Sequence, residues 1–292
     1  MTIRLAAALV TIVGCSLLAA ISVQAQEDRF AGVEVVPVPV RDNVYMLTGA
    51  GGNIGASVGA DGTLIIDDQF APLAERIARA LQSISGDAPR LILNTHFHGD
   101  HTGGNPVFGE LGTIIAHDNV RVRLASDDGF PATGLPVVTF DDRLAIHFNG
   151  DTLEVIHLPA GHTDGDSVVW FKSANVLHTG DLLFNGAFPF IDQASGGSVD
   201  GVIANLTRLL EMTPDDVRII PGHGALADKD DIRATLAMIR ATRGTVMDAL
   251  GAGRSVDEIV EAGLDDEWAS WGAGFINEER WIRILAGPGA GG

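Results

Sequence analysis

The chain has 292 residues, with 38 Asp and Glu against 19 Lys and Arg, a formal net charge of −19 and one cysteine. A surface this acidic repels a phosphate backbone, which argues against nucleic acid as a partner, and a lone cysteine excludes an internal disulfide framework. The length suits one large α/β domain, and 36 glycines spread along the chain point to many tight turns rather than low complexity.

The first 25 residues read as an address label. Met1 to Arg4 form a short basic segment, residues 5 to 23 are apolar or small, and Val23-Gln24-Ala25 has the small-x-small pattern of a cleavage site. The expectation is a signal peptide removed after Ala25, a periplasmic or secreted protein, and no stable membrane insertion afterwards. Two alternatives stay open: an uncleaved anchor, because the apolar run nearly spans a bilayer, and a lipoprotein signal at the lipobox-like Ile12-Val13-Gly14-Cys15. Cleavage after Ala25 leaves residues 26–292, with no cysteine and a charge of 18 − 38 = −20. Such a chain has neither a thiolate ligand nor a cysteine nucleophile.

Strands come first. Val33 to Val40 alternates and carries prolines that suit an edge; Asn43 to Thr48, Asn53 to Val58 and, after Asp61-Gly62, Thr63 to Asp67 continue a meander. Residues 71 to 84 switch period, with Leu73, Ile77, Leu81 and Ile84 on one helical stripe. Residues 90 to 95 form a short buried strand that delivers Asn-Thr-His-Phe-His-Gly-Asp-His-Thr-Gly-Gly-Asn (94–105). His96, His98, Asp100 and His101 can each offer a lone pair to a metal once deprotonated. In extended chain alternate residues share a face, so His96, His98 and Asp100 are expected to converge while His101 points away. Four such ligands suit two adjacent metals better than one.

Thr113 to Ala116 is another strand, residues 118 to 125 a short helix or turn, and Gly129 to Pro136, rich in Gly and Pro, is the expected seam between halves. The second half repeats the same types of element. Leu144 to Phe148 and Thr152 to His157 flank Asn149-Gly150, a strong hairpin signal, and Ser167 to Phe171 and Asn175 to His178 make a second pair. Helices follow at Val199 to Leu210 and Asp231 to Leu250, and Ser255 with Glu258 forms a capping box for another. Strands then helices, twice, give an α/β fold: a four-layer αβ/βα sandwich of two packed sheets with helices outside.

Three further ligand-type residues sit beside glycine at strand ends: His162 in Ala-Gly-His-Thr, Asp181 in Thr-Gly-Asp and His223 in Pro-Gly-His. The series His-x-His-x-Asp-His, Gly-His-Thr, Thr-Gly-Asp and Pro-Gly-His resembles the metallo-β-lactamase superfamily over roughly residues 33 to 225. The resemblance implies the αβ/βα fold and a metal pair. His96, His98 and His162 would hold the first metal, Asp100, His101 and His223 the second, and Asp181 would bridge them. Two zinc ions are the implied cofactor, with iron or manganese as alternatives. A water shared by the pair would have its pKa lowered towards roughly 7, so no serine or cysteine nucleophile is needed, and Asp100 is the candidate proton shuttle.

The implied function is an exported two-zinc hydrolase that cleaves an acyl bond of a small molecule: a β-lactam, a lactone or a thioester. Ser167-Val168-Val169-Trp170 resembles true β-lactamases, but Asp181 stands where their commonest subclass has a cysteine ligand and Phe184 where it has a substrate-gripping lysine. The Asp-bridged set is instead similar to glyoxalase II and related thioesterases and lactonases. Phe184, Phe188, Phe190 and the loop at 194–197 are either pocket walls or core. The same opening motif occurs in iron-dependent persulfide dioxygenases of the superfamily, so a one-iron oxidoreductase is the alternative. A zinc-storing protein would gain nothing from an open coordination position. His117, His147, His157 and His178 have no family match, and His178 is the one expected beside the ligands.

Overall fold

The computed structural model describes residues 29–287. The expected signal segment 1–25 and all but the first residue of the glycine-rich tail lie outside them. The chain divides between Glu34 and Val35; within the short unit before it, the Val33 N–H donates to Phe30 O at 3.0 Å.

β1 (Val36–Arg41), β2 (Val44–Thr48), β3 (Ile54–Gly59) and β4 (Gly62–Ile66) form the expected antiparallel meander. Helix α1 (Ala74–Ser83) then carries the chain over to β5 (Pro89–Asn94), which pairs with β4 in parallel. β6 (Thr113–His117) and β7 (Val138–Phe140) complete a seven-stranded sheet in chain order, with short helices α2 (Gly99–Thr102) and α3 (Asn105–Phe108) between β5 and β6 and α4 (Asp118–Ala125) between β6 and β7. The second sheet has five strands in the order β12-β11-β10-β9-β8. β8 (Arg143–Phe148), β9 (Asp151–His157), β10 (Ser167–Phe171) and β11 (Val176–His178) are antiparallel, and β12 (Arg218–Ile220) returns parallel to β11 after helix α5 (Val199–Met212). Asn149 and Gly150 both take positive φ, 53° and 78°, as a tight primed hairpin turn requires.

Alternation along the strands sorts the core. Leu64, Ile66, Leu93 and Ile115 of the first sheet share one cluster with Leu153, Val155, Val169 and Phe171 of the second, so the two sheets pack face to face. Ile156, Val168 and Trp170, on the opposite side of the second sheet, pack with Val202, Leu206 and Leu209 of α5 and with Ile232, Leu236 and Ile239 of α6 (Lys229–Gly251). Ile65 and Ile92, on the other face of the first sheet, are fully buried too, and α1 buries Ile77 and Leu81 on its apolar stripe. The result is the αβ/βα sandwich.

The seam lies elsewhere than expected. Residues 129–136 stay within the first half, contain a 3-10 turn at Ala132–Gly134, and link β6 to β7; the chain changes sheets only at Asp141 and Asp142. β7 escaped sequence reading because it is three residues long with two of them exposed, too short for any period. Helix α7 (Val256–Ala262) starts with the expected box: Ser255 Oγ accepts from Glu258 N–H and Glu258 reaches back to Ser255 N–H. A further helix, α8 (Glu278–Ala286), was not read from the sequence, because four of its nine residues are charged, although Trp281, Ile282 and Leu285 bury its inner face. No helix among the described residues is long and apolar enough to cross a membrane.

Candidate metal centre

The candidate ligands sit at the C-terminal ends of β5, β9, β11 and β12, drawing on both sheets. After β5 the chain bends at residues 95–97, is extended at His98 (φ −63°, ψ 147°) and then coils at Gly99 into a helical turn, α2 (Gly99–Thr102). This corrects the extended-face expectation: the coil swings Asp100 away from His96 and His98 and brings it beside His101. The structure gathers His96, His98, His162 and Asp181 into one group, and Asp100, His101 and His223 into a second.

The partners of each ring fix its tautomer. His162 Nδ1 faces Phe190 O at 2.7 Å and His98 Nε2 faces Asp192 Oδ2 at 3.0 Å, so both outer nitrogens carry the proton. Thr95 gives its hydroxyl proton to Asp67 Oδ2 at 2.8 Å, leaving Oγ1 to accept from His96 Nδ1 at 3.1 Å. The inner nitrogens are then all bare in the neutral rings. His98 Nδ1 nevertheless lies 2.8 Å from His162 Nε2 and 3.1 Å from His96 Nε2. Three lone pairs that close repel one another unless a cation sits among them, so the group fits a divalent ion.

The second group is similar. His101 Nδ1 donates to buried Asp67 Oδ2 at 2.7 Å, so Nε2 is the nitrogen left bare when the ring is neutral. That Nε2 and Asp181 Oδ1 are buried without a hydrogen-bond partner, although they stand 3.0 Å apart. Asp181 also comes within 3.8 Å of His96, 3.5 Å of His162 and 3.4 Å of His223, so one carboxylate faces both groups. His223 Nε2 is 3.3 Å from Asp100 Oδ2. His96, His101 and His162 are closed off from solvent, whereas the side chains of Asp100 and His223 are 29% exposed, which places the open edge over the second group.

Electrostatics separates the groups as well. Burial, against a weaker pull from Asp181, pushes His162 down to about 4 and holds His96 well below its ordinary value, so both are neutral and ready to ligate. Burial also opposes charge on His101 and His223, but Asp181, aided by Asp67 and Asp100 for His101 and by Asp100 for His223, outweighs it. His101 is held well above its ordinary value and His223 is pushed up to about 9. Without metal, protons on these two rings balance Asp181, whose carboxyl burial would raise but the surrounding imidazoles hold well below the carboxylate range.

A pH effect follows for the metal-free protein. A histidine raised to about 9 stabilises the fold fully below 6.5 and loses that contribution as pH climbs through 9. His162, lowered to about 4, costs stability as pH falls from 6.5 towards 4, while Asp166, raised by burial to about 7, costs stability as pH rises from 3.8 to 7, so these two offset each other. The thermal midpoint of chelator-treated protein is therefore expected to fall between pH 7 and pH 9.5, and a flat or rising midpoint there would contradict the assignment.

Two glycines are demanded by close approach. A Cβ on Gly222 would lie 2.0 Å from Asp181 Oδ1, and one on Gly52 2.1 Å from His101 Cε1. Asn53, beside Gly52, pins the His223 loop across the two sheets, its Nδ2 donating to Pro221 O at 3.0 Å and Gly224 O at 2.9 Å. Asn53, Asp67 and Asp192 were missed in the sequence. The available signal was the Asp67-Asp68 pair directly after the buried Ile65-Ile66 run, since carboxylates ending a buried strand need partners. Asp67 holds a left-handed φ of 64°, a strained conformation of the kind that collects at functional sites.

The remaining candidates divide. His178 is buried, accepts from Gly180 N–H at 3.2 Å and faces Asn53 O at 3.1 Å, so it shapes the turn before Asp181 without reaching a ligand side chain. His117 and His157 stack on each other with ring centroids 3.7 Å apart, and His147 pairs with Thr152. Phe184 stacks on His223 at 4.8 Å and Phe190 lies within 5.8 Å of His98 and 5.7 Å of His162, so both are walls of the site. Phe188 is core, stacked on Trp281.

A two-sheet α/β sandwich with paired His/Asp groups at the strand ends defines a metal-binding architecture. The sequence profile of the Metallo-beta-lactamase superfamily matches residues 47–223, and the chain belongs to that superfamily. It is 29% identical over 229 residues to "2,4-dinitroanisole O-demethylase subunit alpha" of Nocardioides sp. strain JS1661, covering 76% of this chain and 68% of that one. It is 33% identical over 155 residues to a hydroxyacylglutathione hydrolase of Nitrosococcus oceani, covering 52% of this chain and 55% of that one, so it spans about half of that relative. Among solved structures, a metallo-beta-lactamase from Pontibacter korlensis superposes with a TM-score of 0.60 at 19% identity, over 71% of this chain and 99% of that one. All seven candidate ligands fall inside the profile match; α6, α7 and α8 lie beyond it.

Proposed function

We infer that this protein is an exported hydrolase that uses two divalent ions, zinc in the first instance, to cleave an acyl bond of a small molecule. The observation that carries this reading is the convergence of three bare imidazole nitrogens beside a buried carboxylate that faces a second, more open His/Asp group. His96, His98 and His162 would hold one ion and Asp100, His101 and His223 the other, with Asp181 between them; nitrogen-rich sets of this kind suit zinc. When bound, such a pair polarises the acyl carbonyl and acidifies water.

The chain's own residues supply the rest. Asp100 is half-buried at the open edge and held ionised: burial is outweighed by His101 and His223. Its Oδ2 can take a proton and return it to the leaving group. Phe184 and Phe190 wall the site, and a cavity of about 390 Å3 beside His98 is lined by Phe97, Leu124 and Phe130. Arg123, in the same cavity, is committed to Asp164 through two bonds of 2.7 Å. These apolar walls, with Arg123 already paired, favour an uncharged substrate such as a lactone over an anionic β-lactam. Residues 1–25 direct export, and the acidic mature chain acts without nucleic acid.

The test is elemental analysis of the purified protein together with a hydrolysis panel of a chromogenic β-lactam, a lactone and a glutathione thioester. About two zincs per chain with turnover of the lactone or thioester are expected; one iron and no hydrolysis would point to the oxidoreductase alternative. The demethylase relative, aligned over 76% of this chain, favours a second reading, cleavage of an aryl methyl ether, and 2,4-dinitroanisole belongs in the same panel.

A further inference from the structure

We propose that Asp192 is a positioning residue that fixes His98 as an Nδ1 donor, and that the strap carrying it is held in place by the C-terminal helices. The proposal rests on the two-metal reading above. His98 is the member of its group that turns Nδ1, rather than Nε2, towards the other imidazoles. Its outer nitrogen must therefore keep a proton and needs an acceptor outside the centre. Asp192 Oδ2, at 3.0 Å, is the acceptor that meets it among the described residues.

Asp192 is itself held on three sides. Its Oδ1 accepts from Ser195 N–H at 3.1 Å, its own N–H donates to His162 O at 2.9 Å, and its carbonyl accepts from Gly197 N–H at 2.9 Å. Two residues earlier, Phe190 O receives the Nδ1 proton of His162. One strap, residues 188–197, thus sets the outer partners of two of the three imidazoles in the first group. The strap is tied on both flanks. Asp164 N–H donates to Ser195 O at 2.9 Å on one side. On the other, Phe188 N–H donates to Trp271 O at 2.9 Å, Gln193 Nε2 donates to Ile284 O at 3.0 Å, and Phe188 stacks on Trp281 with centroids 5.5 Å apart. Trp271, Trp281 and Ile284 all lie outside the family match.

Without the carboxylate the ring is free to move its proton to Nδ1 and present N–H to the ion in place of a lone pair. Outer partners of this kind change metal affinity by about 10–100-fold. The experiment titrates Zn2+ and Co2+ into metal-free full-length wild type, D192A, D192N and Q193A against a competing chelator, and records the visible spectrum of the Co2+ forms. D192A is expected to hold one of its two ions about 10–100-fold more weakly, with a shifted Co2+ spectrum. D192N, which keeps a neutral oxygen in place, should fall between D192A and wild type. Q193A, which cuts the tie to Ile284, should weaken the same ion by less than D192A. Unchanged affinity and spectrum in D192A overturn the proposal; if D192A fails to fold, unchanged values in D192N do so. A wild type that binds no divalent ion fails at the two-metal reading instead, which is a separate result.

Discussion

Asp181→Ala protein is expected to retain at most one ion per chain and to lose about a thousandfold in kcat/KM, equivalent to ~4 kcal/mol of transition-state stabilisation. Among the described residues, Asp181 is the one carboxylate whose two oxygens face both groups, within 3.0 Å of His101, 3.4 Å of His223, 3.5 Å of His162 and 3.8 Å of His96. Its removal would leave the first ion with three neutral nitrogens and the second with Asp100 as its one carboxylate, and takes away the negative charge that allows two dications to sit side by side. The same change has a signature without metal. Asp181 is the largest influence raising His101 and His223, so the chelator-treated variant should lose most of the fall in thermal midpoint on the alkaline side. An Asp181→Ala protein with two tightly held ions and full turnover would remove Asp181 from the bridging role.

Trp281→Ala should cost about 3–5 kcal/mol of folding stability, the range for emptying a large aromatic site in a core. Trp281 is completely buried in α8, stacks on Phe188 and donates its indole N–H to Thr242 Oγ1 of α6 at 3.0 Å. The loss is large against the ~5–15 kcal/mol that holds a typical domain together. Because Phe188 begins the strap behind the first group, metal affinity should fall along with stability. Trp281→Phe, which keeps one stacking ring and loses the indole N–H together with the volume of the second ring, should lose less of both. Urea unfolding with an unchanged slope reads the stability, and an unmoved midpoint in Trp281→Ala would show that the C-terminal helices do not brace the core.

The parts legible in the sequence were those where a local rule and the tertiary structure agree. Asn149-Gly150 makes its hairpin because both residues must adopt positive φ, and Ser255 with Glu258 caps α7 by bonds confined to four residues. The ligand motifs were legible for another reason: close approach forces glycine beside ligand-type residues, as at Gly222 against Asp181. The illegible parts depend on distant chain. The extended-face reading of residues 96–101 assumed that the strand geometry continued beyond Asn94, whereas the chain bends at residues 95–97 and coils into α2 from Gly99, packed so that His101 meets Asp67 from the end of β4. Asp192 and Asn53 carry no local signature, since each acquires its partner only when separate loops meet. α8 is recognisable by the partners of Trp281 and not by its own charged sequence.

The ligands come from loops of both sheets, and Asn53 ties the last of those loops across from the first sheet. This arrangement dictates when in folding an ion can be captured. A nascent or refolding chain offers only the short run from His96 to His101. The remaining nitrogens and the Asp181 carboxylate arrive after β11 and β12 have paired in parallel and the two sheets have docked, a non-local and therefore late step. Capture then acts as a latch on the finished molecule: it slows escape from the native basin without hastening entry into it.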